Sequence, residues 1–141
     1  MSDQITELKP NEIFVYGSNL LGVNGAGAAR FAQYNFGARH GIAFGLSGQS
    51  FAIPTKDYQI KTLPLDQIDR YVTAFVAFAE EFRDQYVFLV TEIGCGLAGY
   101  TPSDIAPFFT GAPKNVVLPP RFVEIINDPH RKWGINDYKL E

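Results

Sequence analysis

The strongest periodic signal lies in residues 64–83. Leu65, Ile68, Val72, Phe75, Ala79 and Phe82 recur there at the three-and-four spacing of one helix face, widened by Tyr71 and Phe78. Pro64 suits the first turn, and Asp66 and Asp69 suit the positive end of the helix dipole. Four other runs read as strands. Residues 86–93 (YVFLVTEI) are continuously apolar, the pattern of a strand covered on both faces. Residues 12–16 (EIFVY) are dense in apolar, β-prone side chains, and Gly17, Ser18 and Asn19 break the run. Residues 50–53 make a short strand stopped by Pro54, and residues 115–118 a last one closed by Pro119 and Pro120. A helix is predicted over 25–36 with Gly37 at its C-cap, and a shorter one over 102–109 capped by Thr101 or Ser103. Residues 1–11 read as a polar lead-in, 37–48 as a loop with room for a short strand, and 121–141 show no clear pattern.

Strand, glycine loop and helix thus occur twice, with a strand–helix–strand unit between them. That alternation predicts an α/β fold, a sheet sandwiched between helices. In such folds ligands bind beyond the carboxyl ends of the strands. Both glycine loops and the turn at 54–57 follow strand ends, so parallel strands would gather all three at one sheet edge. A glycine-rich loop feeding a helix start offers backbone N–H groups to an anion, and here the chain carries Gly22, Gly25 and Gly27 before Ala28-Ala29-Arg30. The loop is not a Walker A motif, because no lysine follows G-S-N-L-L-G-V. Nor is it a dinucleotide fingerprint: G-A-G-A-A-R lacks the last small residue and has no acidic residue about 20 positions on. A tight connection without a ligand is the plain alternative.

Composition narrows the classes. The chain has 141 residues, 46% hydrophobic and 19% charged, which suits one folded domain over 1–141 with a sizeable core. A net charge of −3 gives no broad basic field for coating a duplex. The single cysteine excludes an internal disulfide, and His40, Cys95 and His130 have no local metal-ligand spacing, so neither a metal nor a cofactor is expected. No membrane span and no leader is read, and a cytoplasmic protein is expected.

Three segments in order carry a family resemblance: GSNLLGVNGAGAARFA, Ile53-Pro54-Thr55-Lys56-Asp57 and Ile93-Gly94-Cys95-Gly96-Leu97. Together, over about residues 12–119, they resemble the lysine-dependent branch of macro domains. That branch includes terminal ADP-ribose glycohydrolases and antitoxins that remove ADP-ribose from DNA. The resemblance implies a three-layer α/β/α macro-domain-like sandwich with a mixed central sheet, residues 120–141 being an extension. It implies a cleft for ADP-ribose or another NAD-derived nucleotide, hydrolysis of an ADP-ribosyl linkage, and ADP-ribosylated protein or nucleic acid as substrate. Carried over by position, Lys56 is the catalytic residue. Ser18, Asn19 and Thr55 lie at the ligand, with Asn19 on the distal ribose. Gly25, Ala26 and Gly27 line the diphosphate, and Gly94, Cys95, Gly96, Leu97, Ala98, Gly99 and Tyr100 close over it. The glycohydrolases carry an aspartate where this chain has Ala98, and the antitoxins lack that acid too.

Each candidate also has a plainer reading. A lysine after a strand is usually a solvated charge; as a catalyst, Lys56 would attack the ribose C1″ as an amine or stabilise developing charge as an ammonium. Asp57 reads first as a turn residue, Asp104 as a first-turn helix acid, and Glu92 as a partner for a lysine or arginine or a contact for ribose or adenine. Cys95 with His40 as base is a rival nucleophile. Phe31, Phe36, Phe44 and Tyr100 read as core, with Tyr100 the best candidate to stack on a ligand. Three functions follow: an ADP-ribosyl hydrolase, a non-catalytic nucleotide-binding module, and an interaction protein with an occluded cleft that uses ARHG (39–41 with its preceding Ala38) and HRKW (130–133) as contacts.

Overall fold

Alternation along β1 (Glu12–Asn19) sets the architecture: Ile13 and Val15 face one side of the sheet, Phe14 and Tyr16 the other, and all four are buried. A strand buried on both sides needs a covering layer on each. The computed structural model describes residues 5–127, and the elements run β1, α1 (Gly27–Asn35), β2 (Gly45–Ser47), β3 (Ser50–Lys56), α2 (Leu65–Glu81), β4 (Val87–Val90), α3 (Pro102–Ile105), β5 (Val116–Val117) and α4 (Pro120–Ile126). A 3₁₀ turn, Ala106–Phe109, continues α3. The fold is mixed α/β, with a five-stranded sheet ordered β2-β3-β1-β4-β5; β1, β3, β4 and β5 are parallel and β2 is antiparallel to β3.

Helix α2 buries Ile68, Val72, Phe75 and Ala79 on the face that also holds Val15, Ile53, Phe88 and Val90, joined by Ile105, Phe109 and Phe122 from the later helices. Each of the fully buried valine, isoleucine and phenylalanine side chains contributes roughly 1.5–3 kcal/mol relative to exposure. Helix α1 covers the opposite face with Ala29 and Ala32 against Phe14, Tyr16, Ala52, Leu89 and Val117.

Several sequence expectations are corrected. β1 does not end at Tyr16 but continues through Gly17, Ser18 and Asn19, paired with β3, with a register shift between Ser18 and Asn19. β3 does not stop at Pro54, because β2 is registered only as far as Ala52 and no ladder on that side remains for the missing N–H to break. β4 is shorter than the apolar run, and α1 starts at Gly27. The lead-in is not wholly polar in role, since Ile5 is buried under the α1 layer. The patternless region after residue 120 begins with α4, which buries Phe122 and Val123. Among the described residues no helix is long and apolar enough to cross a membrane. The HRKW segment, with His130, lies outside the described residues.

Candidate functional site

Parallel β1, β3 and β4 all end at one sheet edge, and their exits crowd together. A Cβ added to Gly17 would stand 3.3 Å from Thr55 Oγ1 and 3.7 Å from Gly94 N. The two glycine loops and the Lys56 turn therefore meet, as the sequence pattern required of parallel strands.

A cavity of about 390 Å³ opens between them. Ser18, Asn19, Gly25, Ala26, Gly27, Thr55, Lys56, Gly94, Gly96, Leu97 and Ala98 all line it, together with Val23, Ala28, Ala29, Ile60 and Glu92. One wall is the start of α1. No side chain caps that helix and its first turn carries no acidic residue, so no carboxylate of its own competes for the leading backbone N–H groups at Gly27, Ala28 and Ala29, which line the cavity. Gly27, at φ 59°, makes the entry into the helix, a conformation costly for any residue with a Cβ. The facing wall is the second loop, folded on itself by Cys95 N–H to Glu92 O (3.1 Å), Gly99 N–H to Gly96 O (3.0 Å) and Tyr100 N–H to Gly94 O (2.8 Å).

The polar side chains at the strand ends hold the backbone in place. Ser18 donates to Ala43 O, and Thr55 donates to Ser18 O at 3.3 Å. Asn19 donates to Val23 O at 2.9 Å and accepts from Val23 N–H at 3.1 Å, so its amide clamps the first glycine loop. Lys56 has no ion pair among the described residues. Asp57 turns away from it: its Oδ1 accepts from Gln59 N–H at 2.8 Å and Lys61 N–H at 2.9 Å. These bonds, the Lys61 one foremost, hold the carboxyl below the usual carboxylate range.

Cys95, Gly99 and Tyr100 are not brought to the cavity wall. The Tyr100 hydroxyl donates to Leu63 O at 2.7 Å and its ring packs against the α2-side core. The rival nucleophile is also corrected. The half-buried Cys95 thiol donates to Ile93 O at 3.5 Å, and burial first, then the Glu92 carboxylate, push its pKa up to about 11, leaving it a thiol at neutral pH. His40 is exposed. Asp104 accepts from Thr101 N–H and Thr101 Oγ1, both at 3.0 Å, and serves as a first-turn helix acid. No group of three or more metal-ligand side chains occurs among the described residues.

A second, larger cavity of about 690 Å³ adjoins the first and shares Gly27, Ala28 and Glu92 with it. Its walls are largely apolar: Ile5, Phe14, Phe31, Pro119 and Pro120. At its polar side Arg121 binds Glu92 with two bonds, Nε to Oε2 at 2.7 Å and NH2 to Oε1 at 2.5 Å. From sequence, Pro119 and Pro120 read only as the close of the last strand, and Arg121 has no reading. They follow β5, whose parallel direction puts its exit at the same edge, and the Pro-Pro step after an apolar run was the available signal. Comparisons with protein-family models, with curated proteins and with solved structures gave no match.

Proposed function

We propose that the chain binds ADP-ribose, or a related NAD-derived nucleotide, across the two adjoining cavities, within a macro-domain-like sandwich. The observation that carries this reading is the smaller cavity itself, with an uncapped helix start on one wall, a side-chain-poor loop on the other and, beside them, a lysine with no ion pair among the described residues. Helix N–H groups and a side-chain-poor loop suit a pyrophosphate, and the lysine suits the sugar beyond it. The larger cavity, with Phe14, Phe31 and two prolines, suits a flat base, and the Glu92–Arg121 pair between the cavities suits ribose hydroxyls.

The reaction proposed is hydrolysis of an ADP-ribosyl linkage centred on Lys56. Its Nζ bonds to C1″ as the bond to the linked group breaks, the electron pair and a lysine proton going to that group. Water then cleaves the C1″–N bond and frees the amine. Binding without turnover is the second reading, favoured by a specific observation. Ala98 supplies no acid, Asp57 is held by its own turn, and Glu92, the one carboxylate among the described residues lining the smaller cavity, is paired with Arg121.

Titration calorimetry with ADP-ribose, ADP, AMP and NAD, followed by release assays on ADP-ribosylated protein and DNA, tests both. At ~100 times the dissociation constant, ADP-ribose is expected to stabilise the fold by about 2.7 kcal/mol. Lys56→Ala is expected to keep binding and lose release. Binding by the unaltered chain with no release from any substrate leaves the non-catalytic module, and absence of binding removes both.

A further inference from the structure

Ile60 occupies the left-handed region, at φ 62°, although it is β-branched. Among the described residues the other non-glycine there is Asn127, at the α4 C-cap, where asparagine is at home. Glycine or asparagine at position 60 would hold the same turn with less strain. The turn itself is over-determined. Asp57 Oδ1 accepts from Gln59 and Lys61, Lys61 O accepts from Asp57 N–H at 2.7 Å, and Asp57 O accepts from Ile60 N–H at 3.1 Å. It is also fastened to the second loop, by Thr62 Oγ1 donating to Ala98 O at 2.8 Å and Tyr100 Oη donating to Leu63 O at 2.7 Å. Core packing does not compensate the strain, since Ile60 is 44% exposed. Ile60 lines the smaller cavity instead, with Leu97 and Val23, which are also exposed. The turn closes an antiparallel bridge between Lys56 and Thr62, and both Lys56 and Ile60 line the smaller cavity alone, so Ile60 stands at the lysine end.

We propose that Ile60 is the specificity-determining residue of that end: its strained turn holds an apolar lip against the carbon face of a terminal sugar, selecting nucleotides that carry the sugar over those that end at the pyrophosphate. The inference rests on the nucleotide reading above. A strained β-branched residue that is half exposed yet lines a cavity points to a role at that cavity.

Calorimetry with ADP-ribose and ADP on the unaltered chain, Ile60→Gly, Ile60→Asn and Ile60→Val tests it. Glycine and asparagine both accept the left-handed turn, so these two variants are expected to melt at or above the temperature of the unaltered chain. Their affinity for ADP-ribose is expected to fall roughly tenfold, the equivalent of about 1.4 kcal/mol, with ADP affinity changed less than about twofold and Ile60→Val keeping the preference. An unmoved ADP-ribose to ADP ratio in Ile60→Gly and Ile60→Asn, or an equal loss for both ligands, overturns the inference while leaving the nucleotide reading standing. No binding of either nucleotide by the unaltered chain overturns both.

Discussion

The carboxylate of Asp57 is engaged by the backbone of its own turn, which leaves Lys56, one residue before it, without an acidic partner among the described residues. That division of labour is acid-sensitive. The two N–H bonds favour the ionised form, so the folded pKa lies below the unfolded one. The turn's contribution is complete above the ordinary carboxylate range and is lost as pH falls through the lowered folded value. The protection factors of the Gln59 and Lys61 amides, taken relative to the intrinsic exchange rate at each pH, are therefore expected to fall on acidification. Asp57→Asn keeps an Oδ1 acceptor and is expected to remove that acid dependence; an equal acid response in the variant contradicts the assignment. Asp57 as a turn residue was legible from its type and place. Ile60 was not, because a β-branched residue argues against the conformation it adopts. Nor was Asn19 as a clamp on Val23, because short-range amide bonding depends on the path the loop takes after β1.

At the scale of elements, the first glycine loop is shaped by backbone pressed on backbone. Gly22 O accepts from Gly41 N–H at 2.8 Å, Gly22 sits at φ 73°, and a Cβ there would come within 2.5 Å of Gly41 C. Gly22→Ala incurs both the left-handed cost, roughly 1–2 kcal/mol, and a clash with main chain that cannot rotate aside. The urea midpoint is expected to fall with an unchanged slope, and an unaltered midpoint contradicts this packing. Helix α2 was readable because seventeen residues of amphipathic repeat leave one solution. The ends of β1 and β3 were not. Glycine and proline mark breaks when the neighbouring strand is unknown, yet Ser18 faces Pro54 in a parallel ladder and no β2 ladder lies on the far side of that proline. Helix α4 escaped notice for a related reason: its seven residues are too short for a periodic signal.

For the whole molecule, the alternation of strands and helices was enough to expect a helix-covered sheet with its loops at one edge, and the order β2-β3-β1-β4-β5 delivers both. Strand order itself, the larger cavity under Pro119 and Pro120, and the burial of Ile5 depend on long-range contacts that no local pattern encodes. The edge where β1, β3 and β4 end is the part of the molecule on which the proposed function stands or falls. The most direct measurement is a crystal structure grown with ADP-ribose. The account predicts pyrophosphate oxygens at hydrogen-bond distance, about 2.7–3.2 Å, from the leading N–H groups of α1, with Lys56 Nζ beside C1″ and Ile60 against the terminal sugar. Clear ligand density elsewhere on the molecule, or a pyrophosphate remote from α1 with Lys56 turned away from the sugar, would contradict it.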